Sequence, residues 1–485
     1  MEGGIGLCTK NMQKGHQFKG GIQVFSQQSF HRKAARKGIM AGAAVLTLSG
    51  LAVSAGAMPA NAQNVTTITV ATVNNPQMIQ MENLTKYFEK ANPGIVVKYD
   101  VMPENVLRNK VTEDVSTNAG KFDVVTIGSY EVPPWAQTGW LANLSKDMPS
   151  TQGSAAVKAY DVNDLLQPIR SALSYQNSLY ALPFYGESSM MMYRKDIFQK
   201  DHLVMPLHPT WSQVEHFAAV IKKDNKGITP IILRGLPGWG EQLAPLDTVI
   251  NAFGGEWFNM KWQPQFNNPA TQKAVTFYVN MLRNYGEAGA ASDGFVECET
   301  LWSQGKGAMW VDATSAAPDF ATSPVSAKTG YAYAPYQVTK NGSHWLWSWA
   351  LSLDAASKNQ SAATKFIMWA TSKAYAKLVV AHYGLAQSPP GTRYSILNNP
   401  KLQKVAPWTQ IEVTSINSAD PLHPTLHPVP YTGVQYVDIP EFEGLGTQVS
   451  QDFAAAITGS KSVASALAQA QQQATQTMQQ NGYLN

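Results

Sequence analysis

SHWLWSWALSL, residues 343–353, sets Trp345, Trp347 and Trp349 at every second position. Successive side chains of a β-strand point to opposite faces, so the three indoles would share one face of a sheet. Such a face is either part of a packed core or a platform for a flat, weakly polar ligand. The segments on either side of it separate these two possibilities.

Upstream, strand and helix signals alternate. TTITVATV (66–73) is β-branched and reads as a strand. Met78, Met81, Leu84 and Phe88 then recur at helical spacing until Asn92-Pro93-Gly94 stops the helix. IVVKYDV (95–101) is a second strand, residues 103–119 form a second helix with Val106, Val111 and Val115 facing inward, and FDVVTI (122–127) is a third strand. Strands separated by such helices imply βαβ units and a parallel sheet covered on both faces, an α/β architecture. The pattern resumes after Tyr193, where Thr210 caps a helix with Val214, Phe217 and Ile221 on its inner face. TPIIL (229–233) reads as a strand, Asn268-Pro269 opens another helix, and GAMWVDA (307–313) is a strand running into a small-residue turn. Phe453, Ile457, Val463 and Leu467 mark terminal helices in the Ala- and Gln-rich end of the chain.

At 485 residues the chain exceeds one small core, which favours two lobes. The formal charge of +4 is misleading, because seven of the 37 basic but only one of the 33 acidic residues precede residue 63. The remainder holds 30 basic and 32 acidic residues, a formal −2, so charge gives no support to a nucleic-acid partner. The N-terminal segment reads as an export signal: HRKAARK (31–37) is basic, an apolar run follows, and Ala60-Asn61-Ala62 supplies small residues for cleavage near Ala62. That reading places the mature protein in the periplasm. Of the two cysteines, Cys8 falls in this leader, and Cys298 is expected to be a buried small hydrophobe. No spacing suggests a zinc or other metal site, and no cofactor is implied. An exported two-lobe α/β chain without a disulfide suggests a hinged binding protein, its ligand in the crevice outside the carboxyl ends of the strands.

Four segments in order carry a more specific likeness: KFDVVTIGSYEVPPWAQTGWL (121–141), SLYALPFYGESSMMMYRKDIF (178–198), WSQGKGAMWVDATSAA (302–317) and HWLWSWALSL (344–353). Together they resemble the family 1 extracellular solute-binding proteins of ABC importers, relatives of the maltose-binding protein, and most of all the branch that takes sugar alcohols such as mannitol and sorbitol. The resemblance implies a two-lobe Venus-flytrap fold whose chain crosses between lobes more than once. Residues 63–183 with 344–386 would form the first lobe, and 184–343 with 387–485 the second. It further implies a monomer that delivers a small neutral polyol to the transmembrane permease.

A polyol asks for carboxylates and guanidinium groups to bind its hydroxyls and for aromatic rings to cover its carbon chain. Asp312 ends the GAMWVD strand and is either a ligand contact or the cap of the next helix; Ser315 follows it. On that basis Asp312→Ala is expected to abolish the ligand response and barely move the unliganded melting point. Arg234, before the loop GLPGWG that presents Trp239, is either a ligand clamp or a surface partner of Glu241. Glu187 in FYGESSMMMY requires ligand hydroxyls or an internal hydrogen bond. Tyr130, Trp135 and Tyr185 are aromatic candidates with core alternatives, and Asn75 at the tip of the first strand is an amide candidate. The resemblance adds Glu131, after the third strand, and Arg393 in SPPGTRYS. It also splits the opening stretch, with Trp345 and Trp347 at the cleft and Trp349 in the core. A mono- or disaccharide would suit the same aromatic rings. An exported carbohydrate-active enzyme finds little support, since Glu441 and Glu443 in PEFEG lie where the family begins a terminal helix, and no G-x-S-x-G or HExxH occurs.

Overall fold

The computed structural model describes residues 65–484, so the expected export signal over residues 1–62 lies outside the described residues. The β-branched run forms β1 (Thr66–Val73), and Asn75-Pro76 opens α1 (Pro76–Ala91) with proline in the first turn, where its missing N–H removes no helical bond. Met78, Met81, Leu84 and Phe88 all face the core. β2 (Ile95–Met102), α2 (Glu104–Thr117) and β3 (Val124–Gly128) follow, with β2 and β3 both parallel to β1. α2 departs from the expected face. Its buried stripe is Glu104, Leu107, Arg108, Val111, Asp114 and Val115, whereas Val106 is 45% exposed.

After α3 (Val132–Thr138) and the small hairpin β4 (Ser174–Tyr175) and β5 (Ser178–Leu179), strand β6 (Ala181–Glu187) runs through Ser188 into β7 (Ser189–Arg194). β6 belongs to one sheet and β7 to the other, so Ser188 is a crossing between lobes. Thr314 holds it from both sides: the Ser188 N–H donates to Thr314 Oγ1 (3.1 Å), and the Thr314 N–H donates to the Ser188 carbonyl (2.7 Å). In the second sheet β7 pairs antiparallel with β8 (Met309–Ala313) and β9 (Thr329–Tyr333). The expected strand TPIIL is reduced to two isolated parallel bridges beside this sheet, Thr229 to Gly307 and Ile232 to Trp310. Pro230 between them has no N–H to complete a ladder.

The tryptophan stretch returns to the first sheet. β10 (Trp347–Leu353) lies between β3 and β6, antiparallel to both, in the order β2-β1-β3-β10-β6, and every residue of it is buried. Trp345 precedes the strand, so the three indoles are not one continuous plate. Trp347 and Trp349 share a face but meet edge to face, with centroids 5.8 Å apart and planes at 84°. The β10–β6 register shifts between Trp349 and Ala350, beside Pro183, a bulge on an edge strand where proline is tolerated. The chain then crosses again, and the terminal helices Phe442–Thr458 and Val463–Gln480 pack on the helix Pro269–Tyr285 of the second lobe. Cys298 is buried and unpaired.

Candidate ligand-binding site

The carboxyl ends of β1 and β6 and the start of β10 meet the second lobe around a cavity. Asn75, Tyr185, Glu187 and Trp347 line it from the first lobe, and Arg234, Trp239 and Trp345 from the second side, all of them residues singled out in the sequence. Trp349, expected in the core, also reaches the wall, because the edge-to-face packing of Trp347 leaves its neighbour's ring uncovered.

Arg234 is committed before any ligand arrives. Its Nε donates to Asp312 Oδ2 (2.9 Å), Nη2 donates to the other carboxylate oxygen, and Nη1 donates to the Gly240 carbonyl (3.2 Å) and lies 3.5 Å from Glu241. Asp312 is fully buried, also accepts the Trp310 indole N–H (3.1 Å), and caps no helix; it acts on the cavity through Arg234. The pair of Arg234 with Glu241, weighed above as a surface contact, is buried on both sides. Ser315 likewise stands one contact behind the wall, its hydroxyl donating to Glu187. Burial pushes the Glu187 carboxyl up to about 8, against the lowering effects of the Ser315 hydroxyl and the Arg234 charge.

The opposite pole is built by α2, whose inward pair Glu104 and Arg108 the count of apolar positions missed. Arg108 donates to Glu104 (2.9 Å) and to Glu131, while Glu131 also accepts the Gly128 N–H (2.9 Å). The Arg108 guanidinium lies 4.0 Å from the Trp239 ring and 4.8 Å from the Trp349 ring, a cation held between aromatic faces of both lobes. Phe295 and Gln435 complete the wall, and neither was foreseen. The available signal was that Glu104 and Arg108 share the helical phase of Leu107, Val111 and Val115, so the charged pair had to face inward.

Tyr130 sits behind Trp239 (centroids 4.8 Å apart) and donates to the Ile439 carbonyl (2.8 Å), so it supports the wall without lining it. Trp135 packs on Trp140, away from the cavity. Arg393 does not reach the cleft. It is buried in the first lobe, where Nη1 donates to the Tyr160 and Asp161 carbonyls (3.1 and 3.2 Å) and Nη2 to the Thr371 carbonyl (3.1 Å). Carbonyls at helix ends take its Nη donors.

Two groups on the wall lack partners. The indole N–H groups of Trp239 and Trp345 are buried and bond to nothing in the protein, although both rings line the cavity. A buried donor left unmade costs about 1–3 kcal/mol. The surrounding charges nearly cancel. Glu104, Glu131, Asp312, Glu187 and Glu241 oppose Arg108 and Arg234, but burial pushes both Glu187 and Glu241 up to about 8, leaving them protonated at neutral pH.

The family model of the bacterial extracellular solute-binding proteins matches residues 75–377. The chain belongs to this family. Its members are binding proteins, so this bacterial extracellular solute-binding protein is not an enzyme. A mannitol-binding protein of Pseudomonas aeruginosa is 46% identical over 436 residues, covering 89% of this chain and 98% of the relative. An ABC transporter solute-binding protein from Agrobacterium vitis S4, solved with bound D-mannitol, is 49% identical with a TM-score of 0.83 over 86% of this chain and 99% of that one. A ribitol complex from Agrobacterium radiobacter K84 shares the fold at 22% identity, with a TM-score of 0.73 over 85% of this chain and 98% of that one. The two-lobe fold of this solute-binding protein is thereby that of its family. Among the described residues no helix is long and apolar enough to cross a membrane.

Proposed function

We propose that this chain is the substrate-binding component of an ABC importer and that its ligand is a neutral sugar alcohol, D-mannitol first among them. The observation that carries this reading is the pair of unpartnered indole N–H groups, Trp239 and Trp345, in a nearly neutral cavity beside Glu187 and Tyr185. A hydroxyl both donates and accepts, so each ligand oxygen can accept from an indole and donate to a carboxyl oxygen. The rings of Trp347 and Trp349 cover carbon-bound hydrogens. The likeness to the D-mannitol complex supports the same ligand class. An anionic sugar acid or phosphate gains little here, since both guanidinium groups already face carboxylates.

In this reading the first lobe runs through β6 to the crossing at Ser188 and takes back β10 and the chain after it as far as Arg393, and the remainder forms the other lobe. The site residues are Asn75, Tyr185, Glu187, Arg234, Trp239, Trp345 and Trp347, supported by Asp312, Ser315, Glu131 and Tyr130. The leader is removed near Ala62 on export to the periplasm, and the closed monomer docks on the permease. A thermal-shift screen of residues 63–485 against D-mannitol, D-sorbitol, D-arabitol, ribitol and hexoses tests the ligand class. Ligand at a hundredfold excess over Kd adds about 2.7 kcal/mol of stability. A response confined to hexoses, or to none of these compounds, rejects the proposal.

A further inference from the structure

The first turn of α1 carries a second set of contacts across the cleft, outside the cavity. The Gln77 carboxamide nitrogen donates to Asp319 Oδ1 (2.8 Å) and to the Ser315 carbonyl (3.0 Å), reaching from the first lobe to the second. Gln77 is 7% exposed, and neither it nor Asp319 lines the cavity. One turn further along α1, Gln80 donates to Gln387 (2.7 Å), and Gln387 donates to the Pro318 carbonyl. Gln77 thus holds the short helix Ala316–Asp319 at both of its ends, and Gln80 reaches it through Gln387.

These contacts are wired to the ligand wall through short covalent paths. Asn75, two residues before Gln77, lines the cavity and donates to the Tyr185 hydroxyl (2.7 Å). Ser315 faces both ways, its hydroxyl bonding Glu187 on the wall and its carbonyl taking Gln77. A movement of the ligand-facing groups that closes the lobes therefore also seats the amide on its acceptors.

We propose that Gln77 is a positioning residue for ligand capture, an inter-lobe latch on Asp319 and Ser315 that holds the closed form and sets how long the ligand stays. This rests on the capture reading above. A contact made only after closure slows release and leaves association unchanged, because association begins from the open form.

The test uses residues 63–485 with D-mannitol as probe, in wild type, Gln77→Ala, Asp319→Ala and the double variant. Loss of one amide-to-carboxylate bond is expected to raise koff about tenfold, with kon within about twofold of wild type. The double variant should match Gln77→Ala, which already removes both bonds of the amide, and Asp319→Asn, whose amide oxygen still accepts from Gln77, should keep koff close to the wild-type rate. A second arm needs no ligand: nitroxide labels at Lys90→Cys and Lys223→Cys, both exposed, report the separation of the lobes, with Cys298 buried. Gln77→Ala should shift that distribution to longer distances. Unchanged koff together with an unchanged distribution overturns the latch, as does a fall in kon alone or a double variant whose koff is the product of the single effects. A wild type that ignores D-mannitol, but whose lobes separate in Gln77→Ala, defeats only the ligand assignment.

Discussion

Arg234 and Asp312 face each other as a buried two-point ion pair, with Nε 2.9 Å from Oδ2 and Nη2 on the second oxygen. Asp312 is fully buried and Arg234 is 5% exposed. This revises what the sequence led one to expect of Asp312→Ala. Removing the carboxylate strands a guanidinium away from water, at a cost of about 3–5 kcal/mol. The unliganded chain should therefore show a clearly lower denaturation midpoint in urea, along with the loss of ligand response. An unchanged midpoint would mean that the pair contributes nothing to the fold.

Gly128 ends β3 directly beneath Trp347. A Cβ added at Gly128 would stand 1.9 Å from the indole ring, well inside any real contact. Gly128→Ala must then push Trp347 toward the cavity or force β3 and β10 apart. We expect ligand affinity to drop by more than tenfold, about 1.4 kcal/mol, while far-ultraviolet circular dichroism keeps its wild-type shape. Wild-type affinity in this variant would show that Trp347 does not need its present seat.

The unpartnered indoles make a sharper demand. Trp239→Phe and Trp345→Phe keep an aromatic ring and remove the N–H. Each should weaken ligand binding by about 1–1.5 kcal/mol, roughly tenfold, and leave the unliganded melting point level or raised, since an unsatisfied donor disappears. Calorimetry of both variants checks this. Equal affinity in both would assign the ligand's acceptors to other donors.

Burial pushes Glu187 and Glu241 from 4.5 up to about 8, and Glu443 to about 7 in the same sense. The folded chain then holds protons that the unfolded chain has already released at neutral pH. Their stabilising contribution is full below about 4.5 and is lost as pH climbs through about 8. His344, pushed down to about 4 by burial, opposes this slope only below its ordinary value of 6.5 and adds none from pH 7 upward. The unliganded melting point should fall from pH 7 to 9, and Glu187→Gln should flatten the fall. A midpoint that rises over this range contradicts the assignment.

Much of this architecture could be read from the residues alone, and the failures have physical reasons. β1, α1 and β3 announce themselves because apolar period and burial coincide there. α2 was legible as a helix with Val111 and Val115 inward, but Glu104 and Arg108 also occupy its buried stripe, and a count of apolar positions wrongly adds Val106 to that face. Asn75, Glu187, Arg234 and Trp239 were visible as polar or aromatic residues at strand ends or in loops. Arg393 shared that appearance, and only the folded chain shows its donors spent on the Tyr160 and Thr371 carbonyls. The alternation of Trp345, Trp347 and Trp349 suggested one strand face, yet Trp345 lies ahead of β10 and reaches the cavity from outside the sheet.

Titration calorimetry of residues 63–485 with D-mannitol bears most directly on the account. A neutral polyhydroxy ligand enclosed between two lobes predicts one saturable site per chain, recovery of the ligand unchanged, and loss of the signal in Arg234→Ala. Heats that stay flat for D-mannitol and its stereoisomers, or binding that survives intact in Arg234→Ala, would contradict it.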